Sequence, residues 1–142
     1  MLWKSDGEYM IRAGLGLALL GLMQTTSFAA GSQGDPRFFA SLKRLDLETR
    51  LDQICDYEAM LRIGRDPRGF NPDRAKAEVL AKPRRTKNAV NTSGGAFRSN
   101  GKWYSLSYAC EATPDHMKVT AFSYQIGHLI PASDWPKYGL WR

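Results

Sequence analysis

The chain has 142 residues, of which 43% are hydrophobic and 24% charged, and its formal net charge is +6. This composition is ordinary for a globular protein and excludes a wholly disordered chain. The length suits one small domain with a core of limited size, and no internal repeat suggests a second domain.

Residues 13–23, AGLGLALLGLM, form a short uncharged apolar run near the N-terminus. Ser27 and Ala29 then suit the −3 and −1 positions of a cleavage site, which predicts a signal peptide over residues 1–29 and a single domain over residues 30–142. The apolar run is too short to cross a hydrocarbon core about 30 Å thick. We therefore expect no integral membrane span.

Asp6 and Glu8 fit the positively charged start of a signal peptide poorly, so translation from Met10 is an alternative. A signal peptide that is not cleaved would instead act as an anchor. Cleavage and export would place the domain in the periplasm or outside the cell, where two cysteines normally form one disulfide bond.

Three helices are predicted ahead of a sheet. The first begins at the N-cap Asp35, and the second spans residues 46–63 and stops at Gly64. A third, shorter helix begins at Asn71 and ends before Pro83. On a helical wheel, the apolar stripe of the second helix contains Leu47, Leu51, Ile54, Leu61 and, at its edge, Cys55.

An antiparallel meander is predicted after a basic loop over residues 82–95, in which Ala89 and Val90 would form a short edge strand. The main sheet begins at Ala96. Asn100-Gly101 between two alternating runs indicates a hairpin, because a type I′ turn needs positive φ at both central residues. This turn places Phe97 opposite Tyr104, Arg98 opposite Trp103 and Ser99 opposite Lys102, and so predicts a cation–π contact between Arg98 and Trp103.

A second hairpin is predicted with Cys110 opposite Met117 and Tyr108 opposite Val119. The apolar stripe of the second helix would cover the sheet face that contains Cys110, since a sheet must bury one side. That packing brings Cys55 to the sheet and predicts the disulfide Cys55–Cys110. The face comprises Phe97, Tyr104, Leu106, Tyr108, Cys110, Met117, Val119 and Ala121.

The C-terminal residues are expected to cover the other face of the sheet. There, Trp103, Phe122, Tyr124 and Ile126 would otherwise form an exposed apolar patch. The covering side chains would be Trp135, Tyr138, Leu140 and Trp141. The predicted fold class is therefore α+β, with N-terminal helices on one face of a small antiparallel β-meander and a short C-terminal helical tail over the other.

Five segments resemble, in the same order, the domain-of-unknown-function family 930, a group of exported or envelope proteins of bacteria. They are LDLETRLDQICDYEAMLRI, FNPDRA, GGAFRSNGKWYSLSYAC, PDHMKVTAFSYQIG and IPASDWPKYGLW. The resemblance covers roughly residues 40–142. It implies an exported bacterial protein and supports the predicted architecture, but it supplies no catalytic residues.

Catalytic and metal-binding patterns are weak in this sequence. Nucleophilic catalysis needs a Ser or Cys beside an oriented base, and both cysteines are assigned to the disulfide. His116 and His128 lie apart without a carboxylate–His cluster at ligand spacing, and Asp115 and His116 in a turn are expected to face water. Phosphate-loop and dinucleotide patterns are absent. We therefore predict no catalytic residues, no metal and no cofactor, although enzymatic activity stays open.

Glu58 is the strongest candidate for a buried polar site, because it lies within the apolar stripe of the second helix. A buried carboxylate needs a partner or has a raised pKa. Arg62, four residues later, or a sheet tyrosine such as Tyr108 would satisfy it. A pocket between helix 46–63 and the sheet around Glu58 would make the protein a ligand-binding or hydrolytic one.

The main basic cluster comprises Lys82, Arg84, Arg85 and Lys87. It is either a solvated loop or a binding site for a polyanionic surface. In the second case the electrostatic attraction would act at long range and would weaken as the salt concentration rises. Sequence-specific nucleic-acid binding is not expected, because the sheet aromatics would pack under the tail. The leading interpretation is a non-catalytic exported module that binds an envelope protein or a polyanionic surface.

Overall fold

Within residues 34–142, which the computed structural model describes, two helices precede a five-stranded antiparallel sheet. This arrangement confirms the predicted α+β class with a meander. The predicted signal peptide and the alternative start lie outside the described residues. The elements are α1 (Pro36–Leu42), α2 (Leu47–Ile63), β1 (Pro72–Lys76), β2 (Arg84–Arg85), β3 (Ala89–Ser99), β4 (Lys102–Ala112) and β5 (Val119–Leu129), followed by 3-10 turns over Ala132–Asp134 and Pro136–Tyr138.

Helix α2 has the predicted bounds because both of its ends are capped. The Asp46 carboxylate accepts a hydrogen bond from the Thr49 N–H at 2.9 Å, and Gly64 follows the last helical residue. Arg50 fixes the connection from α1, since its guanidinium donates to the carbonyl oxygens of Leu42, Lys43 and Leu45 and to that of Asp115.

The predicted apolar stripe of α2 is rotated relative to the structure. Leu47 is 52% exposed, whereas the buried residues of the helix are Leu51, Ile54, Cys55, Ala59 and Ile63. The sequence contains apolar residues on more than one side of this helix, so periodicity does not define a single face. Packing against the sheet selects the face centred on positions 51, 55, 59 and 63.

The predicted third helix is wrong. Residues 72–76 instead form β1, which pairs antiparallel with β3. Asn71 and Pro72 resemble a helix start locally, but Pro is also tolerated at the first position of an edge strand. A strand at this position pairs with the edge of β3, which a helix would leave without partners, so tertiary pairing overrides the local signal.

The sheet begins earlier than predicted, because β3 runs from Ala89 and contains a bulge between Thr92 and Gly95. At this bulge the chain after β1 lies against β3. A Cβ on Gly94 would collide with the backbone of Ala81, and one on Gly95 would lie 2.9 Å from the carbonyl oxygen of Lys76. The two glycines are therefore required for the close approach of these segments to β3.

The Asn100-Gly101 hairpin has the predicted register, with Arg98 opposite Trp103. The guanidinium carbon of Arg98 lies 5.9 Å from the centre of the Trp103 ring, which confirms the predicted cation–π contact. Asn100 and Gly101 both have positive φ, as a type I′ turn requires.

The predicted register of the second hairpin is wrong, since Cys110 lies opposite Phe122 and not Met117. An odd shift along a strand turns every side chain to the other face. Phe122, Tyr124 and Ile126 therefore pack against the helix-side core, whereas Ala121 is exposed. The connection is longer than predicted and is closed by a hydrogen bond from the Thr113 N–H to the Lys118 carbonyl oxygen at 2.8 Å.

The sheet separates two apolar clusters. The larger contains Leu51, Ile54, Cys55, Ala59 and Ile63 of α2 with Val90, Phe97, Leu106, Tyr108 and Cys110 of the sheet. The smaller contains Ala96, Trp103, Ile130 and Leu140, with Val79, Leu80, Trp135 and Tyr138 packed around them. The Trp103 indole N–H donates to the Trp141 carbonyl oxygen at 2.7 Å, so the last residues of the chain contact the sheet directly.

Candidate functional site

A polar cleft of about 300 Å³ lies between α2 and the sheet edge formed by β1 and β2. This edge is interrupted, because β1 and β2 pair with opposite ends of β3 and residues 77–83 leave the sheet between them. The Thr92 hydroxyl donates to the Ala77 carbonyl oxygen at 2.6 Å and fixes the start of this excursion. The cleft is lined by Asp52, Gln53, Asp56, Arg74, Ala75, Lys76, Ala77, Glu78, Arg85 and Trp141.

Asp56, which lines the cleft, is hydrogen-bonded to the buried Tyr108. The Tyr108 hydroxyl donates to Oδ1 of Asp56 at 2.9 Å, and Tyr108 is only 4% exposed. Oδ2 of Asp56 has no hydrogen bond to another described group, yet no buried side-chain polar atom within residues 34–142 lacks a partner. Oδ2 of Asp56, which lines the cleft, therefore keeps some solvent-accessible surface.

Burial raises the pKa of Asp56 to about 7, and the charge of Asp52 contributes in the same direction. The hydrogen bond from Tyr108 and the positive charges of Arg85 and Lys76 oppose this rise. Burial also raises the pKa of Tyr108, as does its contact with Asp56, so the phenol acts as a hydrogen-bond donor. The carboxyl group of Asp56 thus titrates in the neutral range and not in the acidic range of an exposed aspartate.

Asp52, one helical turn before Asp56, is held by an ion pair. Its two carboxylate oxygens accept bonds from Nε and from one terminal nitrogen of Arg85, both at 2.9 Å. Glu78 lies 3.7 Å from the same guanidinium. The hydrogen bonds that Arg85 donates to Asp52 raise the pKa of Arg85 further. The positive charge of Arg85 is therefore already compensated within the cleft.

Trp141 forms one wall of the cleft and is 44% exposed. Three cations lie near its ring: Lys76 at 5.6 Å, Arg98 at 5.8 Å and Arg74 at 5.9 Å from the centroid. Arg98 forms an ion pair with Asp73 at 2.8 Å. Arg74 and Lys76 form no ion pair with the described acidic groups, so their charges are available to a ligand.

The structure divides the predicted group Glu58, Arg62 and Tyr108. Glu58 and Arg62 form an ion pair at 2.6 Å, as the simpler interpretation of the sequence proposed. Tyr108 bonds to Asp56 instead, and only a small depression of about 150 Å³ adjoins Glu58. Asp56 was missed because the helical wheel was centred on the wrong side; its spacing of four from Asp52, and its place beside Cys55, were the available signals.

The basic cluster is also divided. Arg85 is bound to Asp52, whereas Lys82, Arg84 and Lys87 are exposed and form no ion pair with any acidic group in the described part of the chain. These three residues are close in sequence to Glu78 and Arg85 of the cleft but do not line it.

The two cysteines have disulfide geometry, with their Sγ atoms 2.05 Å and their Cα atoms 5.9 Å apart. This geometry is compatible with the predicted Cys55–Cys110 bond. Both residues are fully buried. Because Asp56 follows Cys55 and Tyr108 is two residues before Cys110, the bond holds the two halves of the polar contact together.

The histidines have structural contacts. His116 does not face water as expected: it is buried, its Nδ1 lies 2.6 Å from the Leu47 carbonyl oxygen, and its Nε2 lies 2.9 Å from that of Lys87. His128 Nδ1 lies 3.2 Å from Oγ of Ser105, which also accepts the His128 N–H. No acidic side chain among the described residues bonds to His128, so the Ser105–His128 pair lacks the carboxylate that orients the histidine in a catalytic triad.

Neither a metal-binding cluster nor a membrane-spanning helix is found within residues 34–142. No group of three or more His, Cys, Asp or Glu residues there is placed to hold a metal ion. No helix in that range is both long and apolar enough to span a membrane.

The sequence model of a family described as Domain of Unknown Function (DUF930) matches residues 42–140. The chain belongs to this family. The match confirms the resemblance seen in the five sequence segments and covers the sheet and the residues that line the cleft, except Trp141. No curated protein and no solved structure matches the chain. The description of DUF930 states no activity.

Proposed function

We propose that this DUF930 domain is exported to the periplasm or beyond and binds an acidic saccharide of the cell envelope without transforming it. The observation that carries the proposal is that Asp56, whose Oδ2 accepts no hydrogen bond from the described residues, lies in one cleft with the exposed Trp141 ring and two cations free of ion pairs. The apolar run and the small residues before Ala30 support export.

Each part of the cleft suits one part of such a ligand. A sugar hydroxyl donates to Oδ2 of Asp56, and a carboxylate or phosphate group pairs with Arg74 and Lys76. The indole of Trp141 offers an apolar surface to the face of a sugar ring and keeps its polar edge hydrated. The net charge of +6 adds long-range attraction to a polyanion.

Hydrolysis is the second candidate function, because a carboxyl group with a pKa of about 7 suits a general acid at neutral pH. Glycoside hydrolysis normally requires a second, free carboxylate. Asp52 is the nearest carboxylate on α2, but both of its oxygens are bonded to Arg85. This ion pair favours binding over hydrolysis.

Binding is tested by titration calorimetry with oligosaccharides that carry carboxylate groups and with their carboxyl-reduced counterparts. We expect the acidic forms to bind at least tenfold more tightly at low salt. Arg74→Gln with Lys76→Gln should abolish this preference, and Trp141→Ala should weaken both ligands. Lys43→Gln with Lys118→Gln changes two exposed lysines that do not line the cleft and is the control of equal charge change. No binding, or equal effects of the control and the cleft variants, would exclude the proposal.

Export is tested separately by fractionating bacteria that produce the full chain. We expect processed protein in the periplasm or medium, with an N-terminus at Ala30. Unprocessed protein confined to the cytoplasm would contradict export and leave the chemistry of the cleft intact. Release of reducing sugar ends during incubation with the oligosaccharides would favour hydrolysis instead.

A further inference from the structure

The two edges of the sheet differ in their protection against pairing with another chain. At one edge, β1 and β2 are short, separated and charged, and β1 begins with a proline. Such features discourage strand addition. At the other edge, β5 has 11 residues, VTAFSYQIGHL, without Asp, Glu, Lys, Arg or Pro. No residue of β5 is buried, and within residues 34–142 it pairs with β4 alone.

The sequence of β5 is symmetric in chemical class about Tyr124. Moving outwards, Ser123 matches Gln125 as a polar residue, and Phe122 matches Ile126 as a large apolar residue. The remaining matches are Ala121 with Gly127, Thr120 with His128 and Val119 with Leu129. An antiparallel pair of identical strands centred on Tyr124 therefore places polar residues opposite polar ones and apolar residues opposite apolar ones.

The centre of β5 has the regular strand conformation that this register needs, whereas its two ends do not. Its pairing with β4 is regular from Ala121 to Ile126 and irregular on either side. Within the regular part, Phe122, Tyr124 and Ile126 lie on the helix side and are half-buried, whereas Ser123 and Gln125 lie on the open face and are exposed. A second strand would cover the apolar edge that α2 leaves open.

We propose that β5 pairs antiparallel with β5 of a second copy of this chain, across a two-fold axis at Tyr124, to form one continuous sheet. A two-fold interface repeats each contact twice, so a self-complementary strand is sufficient to build it. The backbone N–H and C=O groups of the open edge then gain partners. No charged side chain of β5 has to be desolvated.

The test uses two double variants at the exposed positions 123 and 125, which face each other between copies in this register. In Ser123→Lys/Gln125→Lys, two lysine pairs oppose each other across the interface. In Ser123→Glu/Gln125→Lys, the same positions form two Glu–Lys pairs. We expect wild type to sediment as a dimer at about 0.1 mM, the Lys/Lys variant to dissociate at least about tenfold more readily, and the Glu/Lys variant to remain dimeric.

Circular dichroism and thermal melting of each monomer-sized sample serve as the control for folding, since both side chains lie outside the cores. A wild-type monomer at 0.1 mM overturns the proposal. So does a folded Lys/Lys variant that dimerises as wild type does, because the interface would then lie elsewhere. Equal dissociation of the Lys/Lys and Glu/Lys variants rejects the register centred on Tyr124.

Discussion

Asp56 combines a buried hydrogen bond with an oxygen that keeps some solvent-accessible surface. An unfolded aspartate titrates near pH 4, whereas burial raises the pKa of Asp56 in the folded protein to about 7. Between these values the folded state binds the proton more tightly than the unfolded state does. The stabilising effect of protonation is therefore fully present below about pH 4 and is lost as the pH rises to about 7.

Replacing Asp56 with Asn should remove this pH dependence, because the amide oxygen still accepts the Tyr108 hydroxyl and the side chain no longer titrates. Between pH 4.5 and 8 we expect the free energy of unfolding of wild type to fall by a few kcal/mol more than that of Asp56→Asn. Urea unfolding at several pH values measures the difference.

Glu48→Gln is the control for this prediction, since Glu48 is an exposed acid near the start of the same helix. Below pH 4, wild type and Asp56→Asn should both lose stability, because hydrogen bonds lower the folded pKa values of Asp46, Asp73 and Asp115. Those contributions are present above the unfolded pKa and are lost as the pH falls. Parallel curves for wild type and Asp56→Asn between pH 4.5 and 8 would contradict the assignment.

At the scale of the elements, α2 and β4 are joined by the two cysteines. Helix α2 lies across the sheet with Cys55 at the centre of its buried face, and Cys110 projects from β4 towards it. This joint holds Cys55 against the sheet and so helps to keep the neighbouring Asp56 beside Tyr108.

Breaking the disulfide should destabilise the domain strongly. The bond closes a loop of 55 residues, and the chain-entropy model gives roughly 4 kcal/mol for that length. We expect reduction, or Cys55→Ser with Cys110→Ser, to lower the melting temperature by more than about 10 °C. Calorimetry with and without reductant measures the shift, and the reduced double variant is the control for effects of the reductant. Two titratable thiols in the native protein would contradict the pairing.

At the scale of the whole molecule, the described domain has a separate apolar cluster on each side of its sheet. The cluster on the open face depends on the C-terminal residues, since Leu140 packs with the fully buried Trp103 and Ile130. The Trp141 carbonyl oxygen accepts the Trp103 indole N–H, and the Trp141 side chain lines the cleft. The tail thus contributes to stability and to the proposed binding site at once.

Deleting residues 133–142 should expose Trp103 and leave its indole N–H without its protein partner. Because a large apolar surface would face water, we expect aggregation or a loss of several kcal/mol in the free energy of unfolding. Trp141→Ala is the matched control, because it keeps the backbone carbonyl and Leu140. It should weaken ligand binding but lower the free energy of unfolding less than the deletion does. A truncated protein that stays monomeric with unchanged melting would show that the tail is dispensable for folding.

Features governed by neighbouring residues were predictable from the sequence. Asp46 and Gly64 gave the bounds of α2 because capping involves only the adjacent turn. Asn100-Gly101 gave the register of β3 and β4 because positive φ at both residues specifies the turn. The pairing of Cys55 with Cys110 was predicted from helix and strand periodicity, together with the absence of any other cysteine in the chain.

Features that depend on distant partners were not predictable in this way. Residues 72–76 form a strand because the edge of β3 is available, and the register of β5 depends on a long connection whose hydrogen bonds the sequence does not reveal. To predict the hydrogen bond between Asp56 and Tyr108, one would have to know how α2 is rotated about its own axis. Helix periodicity limits that rotation loosely, and close packing of the helix against the sheet decides it.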